Sequence, residues 1–504
     1  MSLLFETRSK AKQQGQGAVL FEKNLSQPFG WLFFLAFLLR ILYANRRNSN
    51  GERGLRNVKT DSTILRLKEL IQCKTVSSNT LEKIDFNEFF RLHRILEQQY
   101  PLIHQVLTKK VIGKASLLYH WPGKDPTIKP FLWMAHIDVV PIGDESQWSH
   151  GAFSGDLADG YLWGRGTADT KCLISVQMDA IEELIAEGYV PPQDIYLFYG
   201  HNEEIVAVGD RSGAQLAMEQ LQEQGVILGC VLDEGGSIVK GSTMGIEKPI
   251  AVIGVSEKGS VHVELTVRDK GGHSSTPEKT TALSRVARAA IAVEEHPMPV
   301  RLLPVVSDML KTLSPYMGVL KPLLNSPNQT WPMLHKALEQ KAMTNAMIRT
   351  TFAVTMAQGS AQANVLPETA SVVINCRVLP GDTMESTLQH IRENIGEGVE
   401  ARILSGKNPS PISPTNTPLF SLLRSLAQDL QSDALATPYL VMGGTDSAKF
   451  YPICEAVYRF SPFYFDENTM AGVHSVNERI PVEGFSKAVQ FYKKFALHYR
   501  GSLS

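Results

Sequence analysis

The sequence predicts an α/β fold, and three stretches carry that prediction. The runs 131–135, 195–199 and 226–232 are apolar and of strand length. Each leads into chemistry-bearing side chains: His136 and Asp138 after the first, Glu203 and Glu204 after the second, Asp233 and Glu234 after the third. Helical spacing fills 171–184 and 209–221 between them. Open α/β sheets carry their sites at the carboxyl ends of strands. Three strands ending in acids therefore predict one shared site.

Composition narrows the class. The 504 residues are 43% hydrophobic and 20% charged, an ordinary globular balance with room for two or more domains. Fifty Lys and Arg against 51 Asp and Glu leave a net charge of −1, so nothing predicts nucleic acid as a partner. Five cysteines stand far apart with no Cys-x-x-Cys. They read as buried thiols, neither a zinc finger nor a disulfide framework.

In chain order, residues 1–60 form a polar tail, a hydrophobic segment and a linker. The segment 29–44 is apolar but short for a spanning helix and contains Arg40. A signal anchor, a cleaved signal peptide and an amphipathic surface helix all fit it. The lack of a small-x-small cleavage site favours an uncleaved anchor, so the expectation is a membrane-anchored or exported protein. Helices are expected at 62–74 and 86–97, and a strand at 115–121.

The 131–135 strand then delivers His136 and Asp138 to the same face, since strand side chains alternate. An imidazole beside a carboxylate suits a metal site, the carboxylate holding the ring's tautomer. Gly164 and Gly166 let the backbone pass close to a neighbour, just before Asp169. Asp169 itself reads either as a helix N-cap or as a ligand. Of the paired Glu203 and Glu204, one can bind a metal while the other takes a proton; a solvated surface pair is the alternative.

Taken together, MAHIDVVP, GRGTADTK, GHNEE, LDEGG, GGHSSTP, NVLP, CRVLPGD, GGTDS and VHSVNERI, in that order, resemble the M20 family of zinc peptidases and amidohydrolases. The likeness covers about residues 60 to 500 and extends to the branch holding carboxypeptidase S and N-fatty-acyl-amino-acid synthase/hydrolase. It implies a catalytic α/β domain, a mixed sheet flanked by helices, with a smaller α+β lid inserted. It implies two zinc ions: His136 and Asp233 on one, Glu204 and His474 on the other, Asp169 bridging. Asp138 would orient His136, Glu203 would be the general base, and His273 would stabilise the oxyanion. In dimeric members that histidine serves the partner's site. Asn364, Arg377 and Gly444 fall where the family contacts the substrate's backbone or carboxylate. Asn202, Thr170 and Ser475 depart from the usual residues, and none removes a ligand.

The expected boundaries are 61–255 for the first catalytic segment, 256–406 for the lid and 407–504 for the second catalytic segment. The alternating 261–267 begins the lid. Gly271 and Gly272 free the backbone to present His273; a turn capped by Ser274 or Ser275 is the plainer alternative. Residues 302–347 are rich in Leu and Met, suited either to the core of helical hairpins or to an irregular apolar ligand. A strand at 370–378 and a helix at 384–395 follow, then a return crossing near 406–414 and a helix at 419–430. Residues 443–447 read as an anion-binding nest or a turn. His474 follows a loop at 465–472, and 484–499 is a closing helix.

The expected activity is zinc-dependent hydrolysis of an amide beside a free carboxylate, in N-acyl-amino acids or C-terminal peptide bonds. The expected partners are such a small molecule or short peptide, and a second copy through the lid. The rivals are a narrow dipeptidase or aminoacylase, a non-catalytic binding protein on the same fold, and nucleophilic catalysis at Cys172.

Overall fold

The structure is a computed structural model that describes residues 62–205 and 211–501. The 29–44 segment lies outside the described residues. Among those that are described, no helix is long and apolar enough to cross a membrane. The expectation of a membrane-anchored or exported protein is corrected accordingly.

The strands in chain order are β1 (Thr108–Ile112), β2 (Ser116–Trp121), β3 (Phe131–His136), β4 (Asp156–Ala158), β5 (Tyr161–Trp163), β6 (Ile195–Gly200), β7 (Cys230–Asp233), β8 (Ile238–Val239), β9 (Ile250–Glu257), β10 (Gly259–Arg268), β11 (Gly272–His273), β12 (Thr351–Gln358), β13 (Val365–Leu366), β14 (Thr369–Val378), β15 (Glu400–Lys407), β16 (Leu435–Val441), β17 (Val457–Arg459), β18 (Tyr464–Phe465) and β19 (Arg479–Pro481). One mixed sheet runs β1-β2-β6-β3-β7-β17-β9-β8-β18, with β16 also on β9. The three strands read as acid-bearing are its centre. β6, β3 and β7 are adjacent and parallel, so their carboxyl ends emerge side by side. Every residue of the three is buried. That is why each reads as an unbroken apolar run instead of an alternating one.

Helices cover this sheet. The closing helix, Phe485–His498, meets β3 edge-on through rings: Phe131–Phe495 centroids are 5.2 Å apart and Trp133–Tyr492 centroids 4.8 Å. The helix Lys171–Ala186 buries most of its length, which explains its weak polar face.

A second, antiparallel sheet runs β12-β14-β10-β15. Its core is separate, closed by apolar residues of the helices Ala282–Glu295 and Met384–Asn394. The Leu- and Met-rich stretch does not join that core. Leu303, Val306, Met309, Leu310, Leu313 and Met347 pack into the core of the large sheet. The helices of 304–348 thus split what the sequence suggests is one continuous insertion. At the β9–β10 junction, the buried Lys258 ammonium donates to the carbonyls of Ala346 and Arg349 at 2.9 and 2.8 Å, tying these helices to the crossing.

Candidate metal centre

The site forms where β3, β6 and β7 end. His136 closes β3 with its ring buried; its Nδ1 lies 2.9 Å from the Asp138 carbonyl and 3.5 Å from the Asp138 carboxylate. That leaves Nε2 facing outward. The Asp138 carboxylate is fully buried and accepts the backbone N–H groups of Glu203 and Glu204 at 3.1 and 3.2 Å. Asp138 thereby locks the end of β3 to the turn after β6, and with it two candidate ligands.

His136 Nε2 stands 2.9 Å from Asp169 Oδ1 and 3.3 Å from Glu234 Oε1. His474 Nε2 stands 3.1 Å from Asp169 Oδ2 and 3.1 Å from Glu204 Oε2. The two oxygens of Asp169 therefore face two different imidazoles, as a bridging carboxylate does. Donor atoms of His136, Asp169 and Glu204 lie within 4.8 Å of one another, and so do those of His136, Glu203 and Glu234. Ligands about 2.0–2.1 Å from a tetrahedral zinc are separated by roughly 3.3 Å. The pairwise spacings here match that figure.

The charge balance points the same way. Burial first, then the charges of Glu234, Asp446 and Glu204 against the opposing pull of His136, push the Glu203 carboxyl well above its usual range. Glu234 is pushed up to about 8 by burial and by Asp169. His474 is raised to about 10 by its hydrogen bonds to Asp169 and Glu204. Burial opposes the charged form of His136, yet Glu234, Asp138 and Asp169 outweigh it and hold that ring's pKa well above normal. So many carboxylates crowded onto two imidazoles need added positive charge, and divalent metal fits the donor set.

For the first ion the resemblance names Asp233, and the structure sets the neighbouring Glu234 against His136. Asp233 is buried at the end of β7, but its Oδ2 accepts the Ser447 backbone N–H at 3.0 Å, and its neighbours are the buried Arg459–Glu257 pair. Successive side chains at a strand end point to opposite sides, so Glu234 is the one against His136. Asp169, Glu204, His136 and His474 all come together. The backbone approach through Gly164 and Gly166 is also present. Gly166 has φ 88°, and a Cβ there would stand 2.8 Å from Val139 Cγ1.

His273 lies on β11 and Asn364 just before β13, its antiparallel partner; the Ser274 N–H donates to the Asn364 carbonyl at 3.1 Å and the His273 ring bonds Ser275 at 2.7 Å. Among the described residues, neither has a hydrogen bond to the ligand cluster. Arg377 is exposed on β14. Gly444 lies close beneath Lys407, whose Nζ would be 2.4 Å from a Cβ built there. All five cysteines are buried and free, and burial pushes the Cys172 thiol well up, which removes the nucleophile rival. One residue was missed altogether. Glu478 is fully buried, and its carboxylate accepts the backbone N–H groups of Gly166, Ala168 and Asp169. Its place four residues past His474, inside an otherwise polar loop, was the available signal.

A cavity of about 700 Å³ opens beside Asp169, Glu234 and His474. Met244, Met343, Met442, Met470, Phe465 and Val441 line it. Met343 comes from the Met-rich stretch, so that stretch contributes both to core and to the cavity wall.

Known proteins resemble this chain along most of its length. The profile of Peptidase family M20/M25/M40 matches residues 132–498. N-fatty-acyl-amino acid synthase/hydrolase PM20D1 of Xenopus tropicalis is 35% identical over 438 residues, 84% of this chain and 83% of that protein. Carboxypeptidase S of Saccharomyces cerevisiae is 29% identical over 493 residues, 87% of this chain and 84% of that one. Among solved structures, an M20 family metallo-carboxypeptidase from Sulfolobus solfataricus superposes with a TM-score of 0.64 at 16% identity, covering 86% of this chain and 98% of its own. Human carnosine dipeptidase 1 gives 0.57 at 15%, covering 87% and 96%. The mixed sheet and its flanking helices are thus the metallopeptidase fold, and the chain is an enzyme that belongs to peptidase family M20/M25/M40.

Proposed function

We propose that this enzyme hydrolyses the amide bond of N-acyl-amino acids with long acyl chains, using two zinc ions. The single observation that carries the choice of substrate is the Met-lined cavity opening directly onto the ligand cluster. Methionine is unbranched and polarizable, and adapts to a flexible apolar chain better than a fixed aromatic slot does. The names of the relatives support the same choice, since one is a synthase/hydrolase of N-fatty-acyl-amino acids.

His136 and Glu234 would hold one ion, His474 and Glu204 the other, with Asp169 between them. When bound, the metal pair acidifies the attacking water and polarises the scissile carbonyl. Glu203, beside His136 and Glu234, takes the proton from that water as a carboxylate and returns it to the leaving amine. Asp138 keeps both glutamates in register. Arg377 and the Gly444 loop receive the substrate carboxylate. His273 and Asn364 act from the lid of a second copy, in keeping with their having no hydrogen bond to this chain's own cluster among the described residues.

The test is a panel of N-acyl-amino acids of graded chain length, assayed beside dipeptides with the full-length chain, with metal content measured on the same protein. Turnover should rise with chain length and exceed that on dipeptides. Preference for dipeptides would end the acyl-chain assignment while leaving the metal site standing.

A further inference from the structure

The strongest unassigned feature is a buried ion pair behind the metal centre. Arg165 is 2% exposed and Glu478 is 0% exposed, and Arg165 Nη1 donates to Glu478 Oε2 at 2.7 Å. A buried pair is a poor stability device, because desolvating both charges offsets their attraction. The hydrogen bonds around this one have a different pattern. A single oxygen, Glu478 Oε1, accepts three backbone N–H groups from one loop: Gly166 at 3.0 Å, Ala168 at 2.9 Å and Asp169 at 3.1 Å. The loop that carries Asp169 is wrapped around that oxygen.

The other end of the pair reaches two further segments. Arg165 Nη2 donates to the Ser475 carbonyl at 3.0 Å, one residue past His474, and to the Pro141 carbonyl at 3.3 Å, three residues past Asp138. The Gly164 N–H also donates to the Glu478 carbonyl at 2.9 Å. His474 itself has φ 57° and Asn477 φ 62°, in the left-handed region that non-glycine residues seldom adopt, Asn and His more often than most. Three ligand-bearing segments, distant in sequence, are therefore joined through two side chains.

We infer that Arg165 and Glu478 are positioning residues that hold Asp169 and His474 at a common metal-binding distance. They touch neither metal nor substrate. They act as the outer support of ligands, whose removal lowers metal affinity by about 10- to 100-fold in other sites. The inference rests on the two-metal reading above.

The test uses full-length protein stripped with chelator and titrated with zinc alone against a competing chromophoric chelator. The variants are R165M/E478Q and R165K. The first removes both charges together while Gln still accepts the loop's N–H groups. The second keeps the charge but loses the two-pronged hold on the Pro141 and Ser475 carbonyls, and serves if the first folds poorly. Melting of the metal-free forms is recorded alongside. The expected result is zinc binding weakened at least about 10-fold at one or both sites, in protein whose metal-free form still melts cooperatively. Zinc affinities equal to wild type at both sites, whatever the melting temperature, would overturn the positioning role. Wild-type protein that binds no zinc would overturn the underlying metal reading instead, a result distinct from variant and wild type binding alike.

Discussion

Glu203 and Glu204 are neighbours in sequence to which the proposed mechanism gives opposite tasks. Glu204 lies 3.1 Å from His474, whereas Glu203 is grouped with His136 and Glu234. Glu203→Gln should therefore retain wild-type metal content and lose turnover by about 10²–10⁴-fold, the usual worth of a general base. Paired assay and metal analysis check it. The other adjacent acids, Asp233 and Glu234, are where the sequence was least legible. Both end the same strand, and family likeness alone favoured Asp233. Only the direction of each side chain decides, and that depends on Ser447 and Arg459, over 200 positions away. Glu234→Gln should lower bound zinc at the His136 side, while Asp233→Asn should keep both ions and chiefly lower the melting temperature. The reverse pattern would restore Asp233 as the ligand.

At the level of elements, β3, β6 and β7 were legible because complete burial makes their apolar runs unbroken, and their polar ends follow at once. β12 and β16 were not read as strands. β12 is largely exposed, and β16 carries Thr437 and Pro438 in its middle, so neither shows a clean period. The segment before His474 was expected to be a loop but contains the short helix Glu467–Gly472, capped by Asp466, whose carboxylate accepts the Thr469 N–H at 2.8 Å. This helix brings Met470 to the cavity, and the helix Ala342–Ile348 brings Met343. Both side chains are more than half exposed, at 53% and 56%, so larger residues are accommodated there without disturbing a core. Met343→Trp and Met470→Trp should each shift the preferred acyl chain to shorter lengths with zinc content unchanged. Chain-length profiles of kcat/KM read this directly.

For the molecule as a whole, the described residues form two separate cores, and the helices at 304–348 attach to the larger one, which the sequence leaves open. Helical periodicity says which face is apolar, and leaves open which neighbour covers it. Stability also carries a pH signature. Burial lowers the pKa of His93 from 6.5 to about 4, while its Nε2–H donates to the Ala115 carbonyl at 2.9 Å. The unfolded chain then binds the proton that the native ring refuses. His93 costs nothing above pH 6.5, and native stability falls as the pH drops from there to about 4, by on the order of 3 kcal/mol at the lower end. Urea midpoints of wild type and His93→Gln across that window should converge at acid pH.

The most direct measurement of the central proposal is stepwise return of zinc to chelator-stripped, full-length enzyme while hydrolysis of a long-chain N-acyl-amino acid is followed. Activity should be absent without metal and should reach its plateau at two equivalents per chain. Hydrolysis that persists in the stripped protein, or that zinc fails to restore, would contradict it.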